Sequence, residues 1–296
     1  MKPYRRLLRR LLPPSLLNRL NAISHLEDRL CELEVRCARI AAAAVFPRFP
    51  GLVEEAAPHE FGIFSQNGED GILLWLLQQT GAPRKSFAEI GVENGRECNT
   101  AVLGLVLGWS GVMFEEDPLG AAAARRLAAR ALKDRQDRIE VRQLRVTREN
   151  ADALLGDGEL GVLSIDVDGA DYWLWEAARR VRPRIVIVEY NASFGPDRRI
   201  TVPYQAGFSA LAHHPSGYYH GASLAALEAL GRNKGYSLVS VCSAGVNAFF
   251  LRDDILPPTI PARAAAEIFR PHAVRSRVHT PEEQWNMIRH LPYESV

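Results

Sequence analysis

The chain has 296 residues, 47% of them hydrophobic, and its 36 Lys and Arg against 35 Asp and Glu leave a net charge of +1. This suffices for one large core with appendages, and the balanced charge removes any global electrostatic case for a nucleic-acid partner. Cys31, Cys37, Cys98 and Cys242 form no C-x-x-C pair and no disulfide framework, which fits a reducing cytoplasm.

The first dozen residues set Arg5, Arg6, Arg9 and Arg10 beside Leu7, Leu8, Leu11 and Leu12. That pattern suits a helix lying peripherally on an anionic membrane, and equally a solvated basic end. Arg9, Arg10 and Pro13-Pro14 interrupt its apolar run, so it is read as retained, and no run approaches the roughly 18 apolar residues of a membrane span. From Leu16 onward Leu20, Ile23, Leu26, Leu30, Leu33, Cys37, Ile40 and Ala44 recur at spacings of three and four. They predict a helix with one narrow stripe, a candidate seam for a homo-oligomer. The expected organisation is a basic helical segment at 1–50, a linker at 51–60, a main domain at 61–256 and a C-terminal extension at 257–296.

Residues 65–81, SQNGEDGILLWLLQQTG, read as a helix capped by Ser65 or Asn67, with Glu69 and Asp70 in its first turn and Gly81 closing it. Phe87 to Ile90 is apolar enough for a buried strand, and Gly91 and Gly95 open a loop into a helix over Asn99 to Leu107, with Asn99 or Thr100 as cap. A second strand, Gly111 to Phe114, stops at Glu115 and Glu116, where an acid in such folds bonds ribose hydroxyls. An adenosine-containing cofactor follows as the first expectation. The loop is E-x-G-x-x-x-G rather than the dinucleotide G-x-G-x-x-G, and its acids Glu89 and Glu93 would repel a pyrophosphate but suit the cationic S-adenosylmethionine. An ordinary strand-to-helix turn with a solvated Glu93 is the plainer alternative.

Further along, helix 119–133, strand 139–144, a helix around 149–155, strand 161–166, helix 172–180 and strand 184–190 alternate, which predicts a doubly wound parallel sheet. Helix 223–234 leads to strands 236–241 and 246–252, close enough in sequence for an antiparallel hairpin at the sheet edge. Ligands in such sheets bind beyond the carboxyl ends of the strands. There Asp166, Asp168, Glu189 and Asn191 converge, hard oxygen donors suited to Mg²⁺, although Asp166 and Asp168 would also serve as helix caps. The stretch between the fifth strand and helix 223–234 is long enough for a lid. Its Arg198, Arg199, Tyr204, His213, His214, Tyr218, Tyr219 and His220 could shape an acceptor pocket, with a histidine as base. No G-x-S-x-G elbow and no zinc-type Cys/His spacing occurs.

Several of these motifs together resemble the FkbM-type S-adenosylmethionine-dependent methyltransferases. The similar stretches are Ser65-Gln66 with Gly68-Glu69-Asp70, Glu89-x-Gly91-x-x-x-Gly95, Phe114-Glu115-x-Asp117-Pro118, Ile165-Asp166-Val167-Asp168-Gly169 and Asn247-Ala248-Phe249-Phe250. The resemblance spans roughly residues 61 to 254. It implies a class I methyltransferase, a Rossmann-like α/β fold with a mostly parallel seven-stranded sheet and an antiparallel last strand. It also implies O-methylation of a sugar or other metabolite hydroxyl in glycan biosynthesis. In its terms Glu89, Gly91 and Gly95 form the cofactor loop, Glu115 holds the ribose, and Asp166 lies at the methionine end or at a metal. Asp168 and Asp171 stand where that family more usually has Glu. The pairing of Asp166 with Glu189 and Asn191 is also similar in position to the metal site of catechol-type O-methyltransferases. The expected catalytic residues are therefore Asp166, Asp168 and His220. Two alternatives remain open: a non-catalytic scaffold in a glycan-synthesis complex, and an NAD-dependent dehydrogenase.

Overall fold

A computed structural model of the chain describes residues 59–132 and 138–296, with isolated helical positions at 16, 26, 30, 33, 35–37 and 40. The basic end at 1–12 and the linker at 51–58 lie outside the described residues. Of the N-terminal stripe, Leu26, Leu30, Leu33, Cys37 and Ile40 are described, helical and exposed. Among the described residues no helix is long and apolar enough to cross a membrane.

Seven strands form the central sheet: β1 (Ser86–Ile90), β2 (Ser110–Glu115), β3 (Ile139–Gln143), β4 (Gly158–Ile165), β5 (Val181–Glu189), β7 (Tyr236–Val241) and β8 (Asn247–Arg252). Their order is β3-β2-β1-β4-β5-β8-β7, parallel from β3 to β5, with β8 antiparallel to both its neighbours. This is the arrangement of the class I methyltransferase fold. The expected antiparallel hairpin is present, but its second strand lies inside the sheet and β7 takes the edge.

The centre of the sheet reads as continuous apolar sequence because both faces are covered. Phe87, Val162, Ile185, Ile187, Phe249 and Leu251 face one core, against α1 (Glu69–Thr80) and α2 (Pro118–Leu132). Ala88, Leu163, Val186, Val188, Ala248 and Phe250 face the other, against α4 (Asp171–Ala177) and α6 (Leu224–Lys234); the short α3 (Ala151–Leu155) lies on that side too. The period of two in each strand sorts its side chains between the layers.

Three local expectations are corrected. Helix α1 starts only at Glu69, behind a left-handed Gly68; Asn67 does not cap it, whereas the Ser65 hydroxyl does, accepting the Asp70 N–H of the first turn (3.0 Å). The helix expected over Asn99 to Leu107 is a π-helical turn at Val102–Val106. The long stretch after β5 is built rather than irregular: β6 (Ile200–Thr201) pairs with β9 (Glu294–Ser295), and α5 (Ala210–His213) follows it. The C-terminal residues, including α7 (Ala265–Ile268) and α8 (Pro281–Ile288), pack against the sheet and this stretch, forming a third cluster around Phe194, Val202, Tyr219 and Ile288.

Candidate active site

A cleft of about 930 Å³ opens over the carboxyl ends of β1, β2, β4 and β5. Gly91 follows β1 with φ +86°, and its N–H donates to the Phe114 carbonyl (3.0 Å), while the Asp166 N–H donates to Ile90 (3.0 Å). A Cβ at Gly91 would overlap the Asp166 carbonyl, so only glycine lets the strands close here. Glu93 (φ +46°) and Asp168 (φ +54°) are the two non-glycine residues with left-handed backbone among those described, and both line the cleft. Such conformations cost on the order of 1 kcal/mol or more each and gather where a ligand is held.

The Glu115 carboxylate lies at the end of β2, accepting the N–H of Glu93 (2.6 Å) on one oxygen and that of Asp117 (2.8 Å) on the other. It lines the cleft, and each oxygen keeps a lone pair for a further donor. Glu89 does otherwise. It is buried beneath the loop, where its carboxylate accepts the N–H groups of Asn99 (2.8 Å) and Thr100 (3.0 Å) and the Thr100 hydroxyl (2.5 Å). It is absent from the cleft lining, so the expected cofactor contact at Glu89 is corrected to a support of the loop. Alternation decides this: Glu89 shares the inward face of β1 with Phe87, whereas Gly91 lies past the strand end, at the rim.

Beyond β4 and β5, Asp166, Asp171 and Glu189 bring one carboxylate oxygen each within 4.8 Å of one another. Asp166 is half-buried and Asp168 exposed, both on the cleft wall. Asp171, fully buried at the start of α4, accepts the N–H groups of Val167 (2.9 Å) and Gly169 (3.0 Å). Burial and the neighbouring acids hold Asp166 and Glu189 well above the usual carboxylate range, and burial pushes Asp171 up to about 6. One oxygen of Glu189 is buried without a hydrogen-bond partner.

Two expected residues do not join this group. Asn191 spends its amide N–H groups on the carbonyls of Tyr218 (2.7 Å) and His220 (2.8 Å), and its oxygen accepts the Ser193 N–H (2.9 Å). Its side chain is thus spent on fastening the loop, and Asp171 rather than Asn191 joins Asp166 and Glu189 in the acid cluster. His220 is buried behind Glu189, with Nδ1 3.9 Å from the carboxylate and Nε2 2.8 Å from Arg275 Nη1. A guanidinium only donates, so Nε2 accepts and its lone pair is occupied. Burial, then the charge of Arg275, holds this ring down to about 3. His220 is therefore a neutral support and not the base expected of it.

Of the expected lid residues, Tyr204 lines the cleft, joined by Phe208 from the same stretch, whereas Arg198, Arg199, His213, His214, Tyr218 and Tyr219 do not. Tyr218 bonds His279 (2.9 Å) and Tyr219 donates to the Pro292 carbonyl (2.5 Å), both in the C-terminal extension. That extension sends His272, Val274 and Arg275 into the cleft. Nothing in their local sequence marked them; the only signal was a basic cluster after the last sheet strand.

Fold and cleft define an α/β protein of the class I methyltransferase architecture with an acid-lined ligand site. No family model matches the sequence, and no curated protein does. Solved structures similar in fold include an O-methyltransferase from Bacillus cereus in complex with SAH, 20% identical over 74% of this chain and 89% of that one (TM-score 0.42). A putative O-methyltransferase from Klebsiella pneumoniae is 18% identical over 70% and 88% (TM-score 0.41). Mitomycin 7-O-methyltransferase is 19% identical over 56% of this chain (TM-score 0.37), and the match spans only 48% of its own length. These likenesses concern the fold alone.

Proposed function

We propose that the chain is an S-adenosylmethionine-dependent O-methyltransferase of the FkbM type, acting in the cytoplasm on a hydroxyl of a sugar or glycan intermediate. The acid-lined cleft over the glycine loop carries this reading. Two like charges about 4 Å apart cost roughly 4 kcal/mol at the effective dielectric of a partly buried site. A pyrophosphate beside Glu93 and Glu115 would meet such terms, whereas a cofactor with a sulfonium and an ammonium would gain from them. The cradle fits: Gly91 leaves room at the strand ends, Glu115 retains acceptor capacity for ribose hydroxyls, and Leu144 and Val146 line an apolar end suited to adenine.

S-adenosylmethionine supplies a methyl group on positively charged sulfur. The protein's own part is to hold the acceptor oxygen in line at near-attack distance, with Asp166 and Asp168 at the rim and Tyr204 and Phe208 limiting water. The sugar acceptor rests on the motif resemblance. Calorimetry with S-adenosylmethionine and SAH tests the assignment; no binding, alongside tight binding of NAD, would overturn it in favour of a dehydrogenase. Mass spectrometry of glycans from a deletion strain would identify the acceptor.

A divalent ion such as Mg²⁺ is a second element of this proposal, held by Asp166, Asp171 and Glu189. It is supported by the clustered hard oxygens and the unpartnered buried oxygen of Glu189. Titration of the protein with Mg²⁺ should show saturable binding that Asp171→Asn abolishes; turnover unaffected by chelator would remove the ion.

A further inference from the structure

Glu69 is fully buried although α1, with Gly68 at its cap, needs no buried acid to begin. One of its oxygens accepts the Asn67 N–H (2.8 Å), and the other accepts the side-chain amide of Asn247 (3.0 Å), 178 residues away at the start of β8. Its neighbour Asp70, also fully buried, draws the N–H groups of Ile63, Phe64 and Ser65 (2.6, 2.7 and 2.9 Å) onto a single oxygen, while Ser65 Oγ accepts the Asp70 N–H (3.0 Å). Two adjacent acids thus pin the backbone of 63–67 against the sheet. Burying a carboxylate costs several kcal/mol before its hydrogen bonds recover it, so such an arrangement is a poor means of stabilising a helix. What it fixes is position.

The pinned loop presents Gln66 and Asn67 to the cleft, and Gln66 Nε2 reaches Glu97 of the glycine loop (3.2 Å). The ribose acid Glu115 and the apolar Leu144 and Val146 stand at the β2 and β3 end. Asn247, by contrast, is the strand partner of Glu189 at the β5 and β8 end. Gln66 and Asn67 are therefore tied to the side where an adenosine cofactor continues past its ribose into an amino acid. Each side-chain amide offers a donor and an acceptor, which matches a zwitterion.

We infer that Glu69 and Asn247 are positioning residues that set the 65–67 loop as the wall facing the amino-acid end of the cofactor, with Gln66 and Asn67 as its contacts. This rests on the S-adenosylmethionine reading above. The test compares SAH with adenosine, which lacks the amino acid, by calorimetry on the full chain. Asn67→Ala should weaken SAH about tenfold or more, the scale of one hydrogen bond to a charged group, and leave adenosine within about twofold. Glu69→Ala and Asn247→Ala should each do the same, and the double variant should lose no more than Glu69→Ala alone, because Asn247 acts through the Glu69 carboxylate. Asn67→Ala, at a partly exposed position, keeps the test open if the buried variants fold poorly. Equal losses for SAH and adenosine, or none for either, would overturn the inference. Failure of the wild-type chain to bind SAH would sink the cofactor reading itself and the loop assignment with it.

Discussion

At Gly91 two demands meet in one residue: a left-handed φ and a Cα against the Asp166 carbonyl. Alanine would be strained by its backbone and by overlap at once. Gly91→Ala should therefore cost more than about 1 kcal/mol and, by pushing β1 from β4, lower SAH affinity at least tenfold. Calorimetry and denaturant unfolding read the two effects separately. His220 carries a different prediction. Its folded pKa, about 3, lies below the ordinary histidine value of 6.5, so its contribution to stability is complete above pH 6.5 and is lost as pH falls towards 3. The full window corresponds to at most about 5 kcal/mol. His220→Gln should flatten the fall in unfolding free energy between pH 6.5 and 4, a change visible in urea titrations at stepped pH. An unaltered slope would mean that the ring is solvated in the folded state.

Among elements, the decisive addition is the C-terminal extension. It contributes β9 to a two-stranded sheet with β6, brings Arg275 to His220, and seats Ile288 in the third cluster. The expected lid is thereby held as part of the fold and presents Tyr204 and Phe208. Ile288→Ala, at a fully buried site, should cost about 2–5 kcal/mol. The loss should appear first as faster amide exchange over 200–222, with the central strands still protected, because this cluster is peripheral to the main sheet. Uniform acceleration across β1, β4 and β5 would show instead that the extension and the sheet unfold as one unit. Helix α1 illustrates a misreading at the same scale. Ser65 does cap the first turn, yet Asn67 does not, and both belong to a loop organised by the acids that follow, since Glu69 and Asp70 form stronger, charge-assisted bonds to backbone N–H groups.

For the molecule as a whole, a ligand that binds only the folded state stabilises it by mass action. SAH at 100 times its Kd would contribute about 2.7 kcal/mol, raising the unfolding midpoint by roughly 4–5 °C for a chain of this size. NAD at the same concentration should leave it unchanged, and scanning calorimetry distinguishes the two. The alternation of strands and helices, the reversed β8, the glycine loop and the acids at the strand ends were legible in the sequence because they are local. Strand period, turn chemistry and the position of a side chain at a strand terminus depend on a few neighbouring residues. What could not be read locally was which of those acids face the cleft and what stands opposite them. Glu89 turned inward, Asn191 and His220 were claimed by the loop, Asp171 joined the buried acid cluster, and Arg275 entered the cleft. These assignments depend on contacts between segments tens to hundreds of residues apart, made only when the sheet and the C-terminal extension close around the same cleft.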